Sequence, residues 1–205
     1  MIIGINGYSG SGKDTVGQII QKLCFKQHWE IKKFAGKLKD IAEHLTGIPL
    51  EKFEDQEFKK TNLGPEWDVP AAASLVDGII NLSEMRPMTV REFLQKLGTN
   101  GLRNGLHDNV WVNALMSDYK PAKMDEYYPS KWIITDTRFP NEAKAIKDKG
   151  GIVIRIDRPG IKPINNHPSE IALDNWNFDY AIGNVSDYIA LEFTVENILK
   201  EINLL

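Results

Sequence analysis

Apolar positions change period several times along the chain, and each change marks an element. "MIIGIN" is a short apolar run ending before a glycine, which predicts a buried strand. Residues 13 to 27 then carry Val16, Ile19, Ile20 and Leu23 at helical spacing. "EIKKFA" reads as a second strand. "GKLKDIAEHLTG" reads as a helix with Leu38, Ile41, Ala42 and Leu45 on its apolar face and Gly47 closing it. Residues 50 to 87 are irregular, with Pro65, Pro70 and Pro87 around the apolar patch "AAASLVDGII", and are expected to form an insertion over one end of the sheet. "TVREFLQKLGT" opens on a capping box, Thr89 with Glu92, and carries Val90, Phe93, Leu94 and Leu97 on one face. A further helix is expected in "NVWVNALMSDY". The stretch "WIITDTRFPNEAKAIKDKGGIVIRIDRP" follows as strand, loop, helix, Gly-Gly stop and strand. "FDYAIGN" is a last short strand, and 187 to 202 a closing helix. Strands alternating with helices predict an α/β fold of three layers, a mostly parallel sheet flanked by helices. In such sheets ligands gather beyond the carboxyl ends of the strands, here after Asn6, Thr135 and Ile156.

Composition narrows the picture without deciding it. At 205 residues the chain suits one domain, with 42% hydrophobic and 26% charged residues. A net charge of −3 gives no global basic field, so no nucleic-acid partner is expected. The apolar runs are too short to span a bilayer, and no membrane association is expected. Cys24, the single cysteine, excludes an intrachain disulfide and fits a cytoplasmic location.

The chemistry starts at "GYSGSGKDT". Gly7, Gly12 and Lys13 satisfy G-x-x-x-x-G-K, between a predicted strand and a predicted helix. Gly7, Gly10 and Gly12 let the backbone bend so that successive N–H groups, with Ser11 among them, face one anion. The helix start adds its positive end, and Lys13 supplies a charge for the outer phosphates of ATP. Asp14 stands where Ser or Thr is usual, and Thr15 comes one place later. That G-K-x-T spacing resembles the loop of adenylate-kinase-like nucleoside monophosphate kinases. Thr15 is the expected loop hydroxyl toward Mg²⁺, while Asp14 either faces solvent or reaches the metal through water. Asp136 ends an apolar strand, where a carboxylate can hold Mg²⁺ or its water. Arg138, two residues on, is placed to clamp a phosphate, with an ion pair to Glu142 as the alternative.

The ordered blocks "GYSGSGKDT", "KFAGKLKDIA", "MTVREFLQKLGTNGLR", "ITDTRFPNEAKAIKDKGGIVIRIDRP" and "HPSEIALD" resemble the phage-type deoxynucleoside monophosphate kinases. They span residues 4 to 174. The resemblance implies a single P-loop kinase domain over 1–205, with 50–87 as a substrate-covering insertion. It implies phosphorylation of deoxynucleoside monophosphates by ATP with Mg²⁺. Lys13, Arg91, Asp136 and Arg138 are then the expected catalytic set, with Thr15 and Asp136 toward the metal. Phe34, Lys37, Lys39, Arg91, Gln95, Thr99, Arg138, Glu142, His167 and Glu170 are the expected acceptor-side residues. Which of Lys37 and Lys39 enters the site is open, because this chain has Lys37 where the family commonly has proline. Arg91 and Gln95, four apart and off the apolar stripe, would present a phosphate grip and a base-reading amide. Trp111 and Trp176 are candidates to stack on a base. A dephospho-coenzyme-A-kinase-like enzyme and a slow nucleotide-binding regulatory module are the rival readings, and a homodimer is left open.

Overall fold

The computed structural model describes every residue except 72, 77–78, 83–84 and 122–128, and describes 73–76 and 79–82 by their backbone alone. Strand β1 is Ile2–Asn6, and helix α1 is Lys13–Leu23, ended by a 3-10 turn at Phe25–Gln27 rather than running on to 27. Strand β2 is Glu30–Lys32 and helix α2 is Gly36–Thr46. Short strands β3 (Val69–Pro70), β4 (Ala73–Val76), β5 (Ile79–Leu82) and β6 (Met85–Arg86) precede α3 (Val90–Gln95) and α4 (Val110–Met116). Then come β7 (Trp132–Ile134), α5 (Pro140–Asp148), β8 (Ile152–Asp157), α6 (Pro168–Ile171), β9 (Tyr180–Gly183) and α7 (Tyr188–Glu201).

Residues 1–36 and 109–205 form an α/β unit. Its sheet has the order β2-β7-β1-β8-β9, and every neighbouring pair is parallel. Side chains alternate across β1. Ile3 and Ile5 join Val16, Ile19 and Ile20 of α1 and Leu191, Val195, Ile198 and Leu199 of α7 in one core cluster. Gly4 faces the other way, where a Cβ would lie 2.5 Å from Ile146 of α5, so the glycine lets α5 sit close on that face. Helices therefore cover both faces, as the unbroken apolar runs "MIIGI" and "WII" require.

Residues 37–108 form a second unit around Ala42, Phe53, Met88, Val90 and Phe93. The expected stripe of α3 holds, with Val90 and Phe93 buried. The expected apolar face of α2 does not: Lys39 and Ala42 are buried, while Ile41 and Leu45 are exposed. Thr89 caps α3 by accepting the N–H of Glu92, at 3.2 Å. The Glu92 carboxylate is instead gripped by both Arg86 nitrogens, at 2.8 and 2.7 Å, with Lys96 at 3.2 Å. Beyond Gln95 the helix widens into a π-helix, Lys96–Asn104, which no period in the sequence announces. The backbone of 50–87 holds 3-10 turns and two antiparallel strand pairs, β3 with β6 and β4 with β5. The expected patch "AAASLVDGII" lies in part outside the described residues.

Candidate active site

The first strand ends by turning sharply into α1. Gly7, Gly10 and Gly12 have φ of 152°, 82° and 104°. A Cβ on Gly7 would stand 2.5 Å from the carbonyl oxygen of Ile156 and from Ser11 Oγ, so only glycine fits between β1 and β8 here. A Cβ on Gly12 would stand 2.6 Å from Asn184 Nδ2, the atom that donates to the Ser11 carbonyl at 2.9 Å. Asn184, just beyond β9, thus fixes the loop from the far side. It was missed in the sequence, where its only signal is a polar residue after "AIG" at a strand end. Ser11 Oγ is buried and, among the described residues, has no hydrogen-bond partner.

Lys13 folds back over the loop, its Nζ donating to the Tyr8 carbonyl at 2.7 Å. Burial, with help from the Arg138 guanidinium, pulls its ammonium down from 10.5 to about 8, against the opposing pull of Asp14, Glu170 and Asp136. Lys13 therefore lies within electrostatic reach of Arg138, Asp14, Glu170 and Asp136. Asp14, 65% exposed at its side chain, accepts from Thr135 Oγ1 at 2.7 Å and faces Lys33 at 3.5 Å. Partial burial works to raise its pKa, but the Thr135 hydroxyl and Lys33 outweigh it and hold the carboxyl below the usual range. Asp14 thus ties α1 to the end of β7, a link that G-K-D-T does not disclose. Thr15, the expected metal-side hydroxyl, sits in the first turn of α1.

Asp136 is buried just past β7, and its two oxygens accept the backbone N–H groups of Phe34 (2.7 Å) and Ala35 (2.9 Å). Phe34 meets the site through this N–H, while its ring is buried. Arg138 is not paired with Glu142, the partner named as its alternative. Its Nη1 donates to Glu170 Oε1 at 3.1 Å and to the Ser169 carbonyl at 3.3 Å. Glu142 is buried, and its Oε2 accepts the backbone N–H groups of Arg138 (2.8 Å) and Phe139 (3.1 Å). It caps its own helix and sets the backbone from which Arg138 projects. His167 caps the short α6, its Nδ1 accepting from the Ser169 N–H at 3.2 Å. Burial lowers its pKa, and Arg138 adds to this while Glu170 opposes it.

Next to the loop lies a recess of about 410 Å³ whose lining includes Tyr8, Arg158, Pro159, Ile161 and Val185. Of the other expected residues, Lys37, Lys39, Arg91, Gln95 and Thr99 belong to the second unit. Arg91 donates to Gln56 Oε1 at 3.1 Å, Gln95 is half-buried, and Thr99 is buried in the π-helix. Lys39 is buried in an ion pair with Glu54, while Lys37 is exposed, so Lys37 is the lysine of the two presented to solvent. Trp111 is buried, and the indole N–H of Trp176 is buried without a hydrogen-bond partner among the described residues. Among those residues no cluster of three metal-ligating side chains occurs, and no helix is long and apolar enough to cross a membrane.

A strand-loop-helix whose glycines are sterically required, with a lysine over the loop and an aspartate and an arginine at the neighbouring strand end, defines a phosphate-loop nucleotide-binding protein of the α/β class. The family model described as deoxynucleotide monophosphate kinase matches residues 52–194. The chain belongs to that family and is a nucleotide monophosphate kinase. A relative from Acanthamoeba polyphaga mimivirus is 32% identical over 181 residues, 84% of this chain and 82% of its own. The deoxynucleotide monophosphate kinase of Enterobacteria phage T4 is 31% identical over 126 residues, 62% of this chain and 51% of its own. The deoxynucleoside-5'-monophosphate kinase of Escherichia phage T5 is 23% identical over 194 residues, 72% of each chain. Among solved structures, dephospho-CoA kinase from Campylobacter jejuni is 14% identical with a TM-score of 0.41, over 98% of this chain and 96% of that one.

Proposed function

We propose that this chain transfers the γ-phosphoryl group of ATP to the phosphate of a deoxynucleoside monophosphate. The observation that carries the reading is the turn from β1 into α1: Gly7 and Gly12 leave no room for a Cβ, and Lys13 folds back over the loop onto the Tyr8 carbonyl at 2.7 Å, the arrangement that cradles phosphates. An oxygen of the acceptor phosphate attacks Pγ as the bond from Pγ to the ADP oxygen breaks. The monophosphate is already ionised at neutral pH, so no general base is needed, and catalysis is positioning plus charge stabilisation. Lys13 and the loop N–H groups hold the donor phosphates. Arg138 grips the acceptor phosphate, and Arg91 is assigned to acceptor binding as well. Gln95, Thr99, Lys37, His167 and Glu170 are assigned to recognition of the acceptor nucleoside.

Mg²⁺, when bound, neutralises charge developing on the donor phosphates. Thr15 and Asp136 are the residues that would hold it. They fit the ion's habit of taking one or two protein oxygens, phosphate oxygens and waters. The Asp136 oxygens, each already accepting one N–H, suit contact through water. The recess beside Tyr8 and Val185 takes the donor base. A homodimer is checked by sedimentation of the ligand-free protein.

ADP release measured with ATP and each deoxynucleoside and ribonucleoside monophosphate tests the reading. Deoxynucleoside monophosphates should stimulate it, and acceptor-independent turnover would refute it. Arg138→Ala and Arg91→Ala should each raise the acceptor KM or lower kcat by roughly tenfold to a hundredfold, the cost of one charge-assisted contact. ATP binding should change less in both. Gln95→Ala should change the ranking among bases.

A further inference from the structure

Arg155 has no part in the transfer as described above, yet it is one of the most constrained charges in the molecule. It sits in β8 directly in register with Asn6, the last residue of β1. Its side chain is 11% exposed. Nε donates to Asp157 Oδ1 at 2.8 Å, and Nη1 donates to Asn6 Oδ1 at 2.7 Å, with Asp174 at 3.5 Å. The guanidinium lies 4.6 Å from the centre of the Tyr8 ring and 5.8 Å from that of Phe178. Nε and Nη1 are thus engaged within the protein, and two rings flank the group.

The consequence lies one residue further on. Because Arg155 takes the oxygen of the Asn6 amide, that amide must present its nitrogen to the other side. There Nδ2 donates to the Thr137 carbonyl at 2.7 Å. Thr137 is the residue between Asp136 and Arg138, and its own N–H donates to the Ile5 carbonyl at 3.2 Å. A guanidinium is expensive to bury, and an apolar pair at this register position would serve stability as well or better. What an apolar pair lacks is direction. An amide oriented by a fixed cation holds a carbonyl in one place.

We infer that Arg155 is a positioning residue for phosphoryl transfer, acting through Asn6 on the segment that carries Asp136 and Arg138. The inference rests on the function proposed above for those two residues. Transfer depends on placement, and small displacements of such groups cost on the order of tenfold to a hundredfold in rate.

Two variants separate positioning from simple stability. Arg155→Met removes the charge and keeps the length. Asn6→Asp keeps an acceptor for Arg155, now an anion, but replaces the donor to Thr137 with an oxygen that repels the carbonyl. Both should lower kcat and raise the acceptor KM by roughly tenfold or more, while Asn6→Asp melts closer to wild type than Arg155→Met. The double variant should be no slower than the slower single one, because both cut the same link. Independently of turnover, the backbone amide NMR signals of residues 136 to 139 should shift in both. Wild-type kinetics in folded Asn6→Asp, additive losses in the double variant, or unmoved signals at 136 to 139 would each overturn the inference. A wild-type enzyme without acceptor-dependent ADP release would refute the function reading instead, and the NMR arm would still decide the link.

Discussion

At the scale of single residues, Lys13 is the clearest case of a charge that burial makes costly. Its pKa, about 8, lies below the ordinary 10.5 because burial and Arg138 disfavour the charged form. The sign follows from proton counting. Between about 8 and 10.5 the unfolded chain binds more protons at this group than the folded one, so stability from Lys13 rises with pH across that window. Below about 8 the cost of the buried charge is fully present. Lys13→Met should therefore leave the ligand-free protein at neutral pH at least as stable as wild type, by about 1 kcal/mol, while removing most transfer. Bound phosphates would supply the missing countercharge and restore the ammonium. ATP binding near pH 8 should then take up a proton, and affinity should fall as pH rises beyond it. Calorimetric titration in buffers of different ionisation enthalpy checks this. No proton uptake in wild type, or the same uptake in Lys13→Met, would contradict it.

At the scale of elements, the decisive feature is how α5 begins. Its first turn is held by Glu142, whose one oxygen receives the N–H groups of both Arg138 and Phe139. The same hydrogen bonds that end the helix's unpaired donors therefore aim Arg138. Glu142→Ala leaves those donors without their acceptor in a buried setting and should cost about 1–3 kcal/mol in urea unfolding. Glu142→Gln keeps an acceptor and should cost less. In a folded Glu142→Ala preparation, transfer should fall with the acceptor KM raised, as for a weakened Arg138. A stability loss with untouched acceptor kinetics would confine Glu142 to capping. The "RFPNEA" pattern indicates the helix start, through Pro140 and Glu142. It does not indicate that Arg138 turns to Glu170, which lies 32 residues away in sequence.

At the scale of the whole molecule, the carboxylates set its acid limit. Asp14, Asp55 and Glu92 all titrate below their ordinary values. Glu92 is the clearest, drawn from 4.5 to about 2 chiefly by the hydrogen bonds from Arg86, against some burial and with help from Lys96. A carboxyl depressed by folding contributes stability that is complete above its unfolded value. That contribution is lost as pH falls through the folded one, here between about 4.5 and about 2. The group keeps contact with solvent, so its share is about 1 kcal/mol or less. Denaturation midpoints of wild type and Glu92→Gln, followed from neutral pH downward, should converge over that window. A constant gap between them at all pH values would show that Glu92 acts through packing instead.

What the sequence determined by itself was everything that depends on local period and local chemistry. The apolar runs of β1, β7 and β8 fixed buried strands, because a strand covered on both faces has no polar side to show. The glycines of "GYSGSGKDT" fixed the sharp turn from β1 into α1, because few other residues can make it. The stripe Val90, Phe93 and Leu94 fixed α3, while Leu97 falls in the π-helix beyond it. Tertiary structure alone decided the rest. It set the order β2-β7-β1-β8-β9, because three of its four strand pairings join segments a hundred or more residues apart and period carries no record of partners. It turned α2 so that Lys39 is buried and Ile41 is not, because an ion pair with Glu54 compensates the lysine. It gave Asp136 to the backbone of Phe34 and Ala35, Asp14 to Thr135, and Asn6 to Arg155 and Thr137. Each is a hydrogen bond between distant segments, and a polar residue written in a sequence states its capacity to bond but not which group the fold will bring within reach.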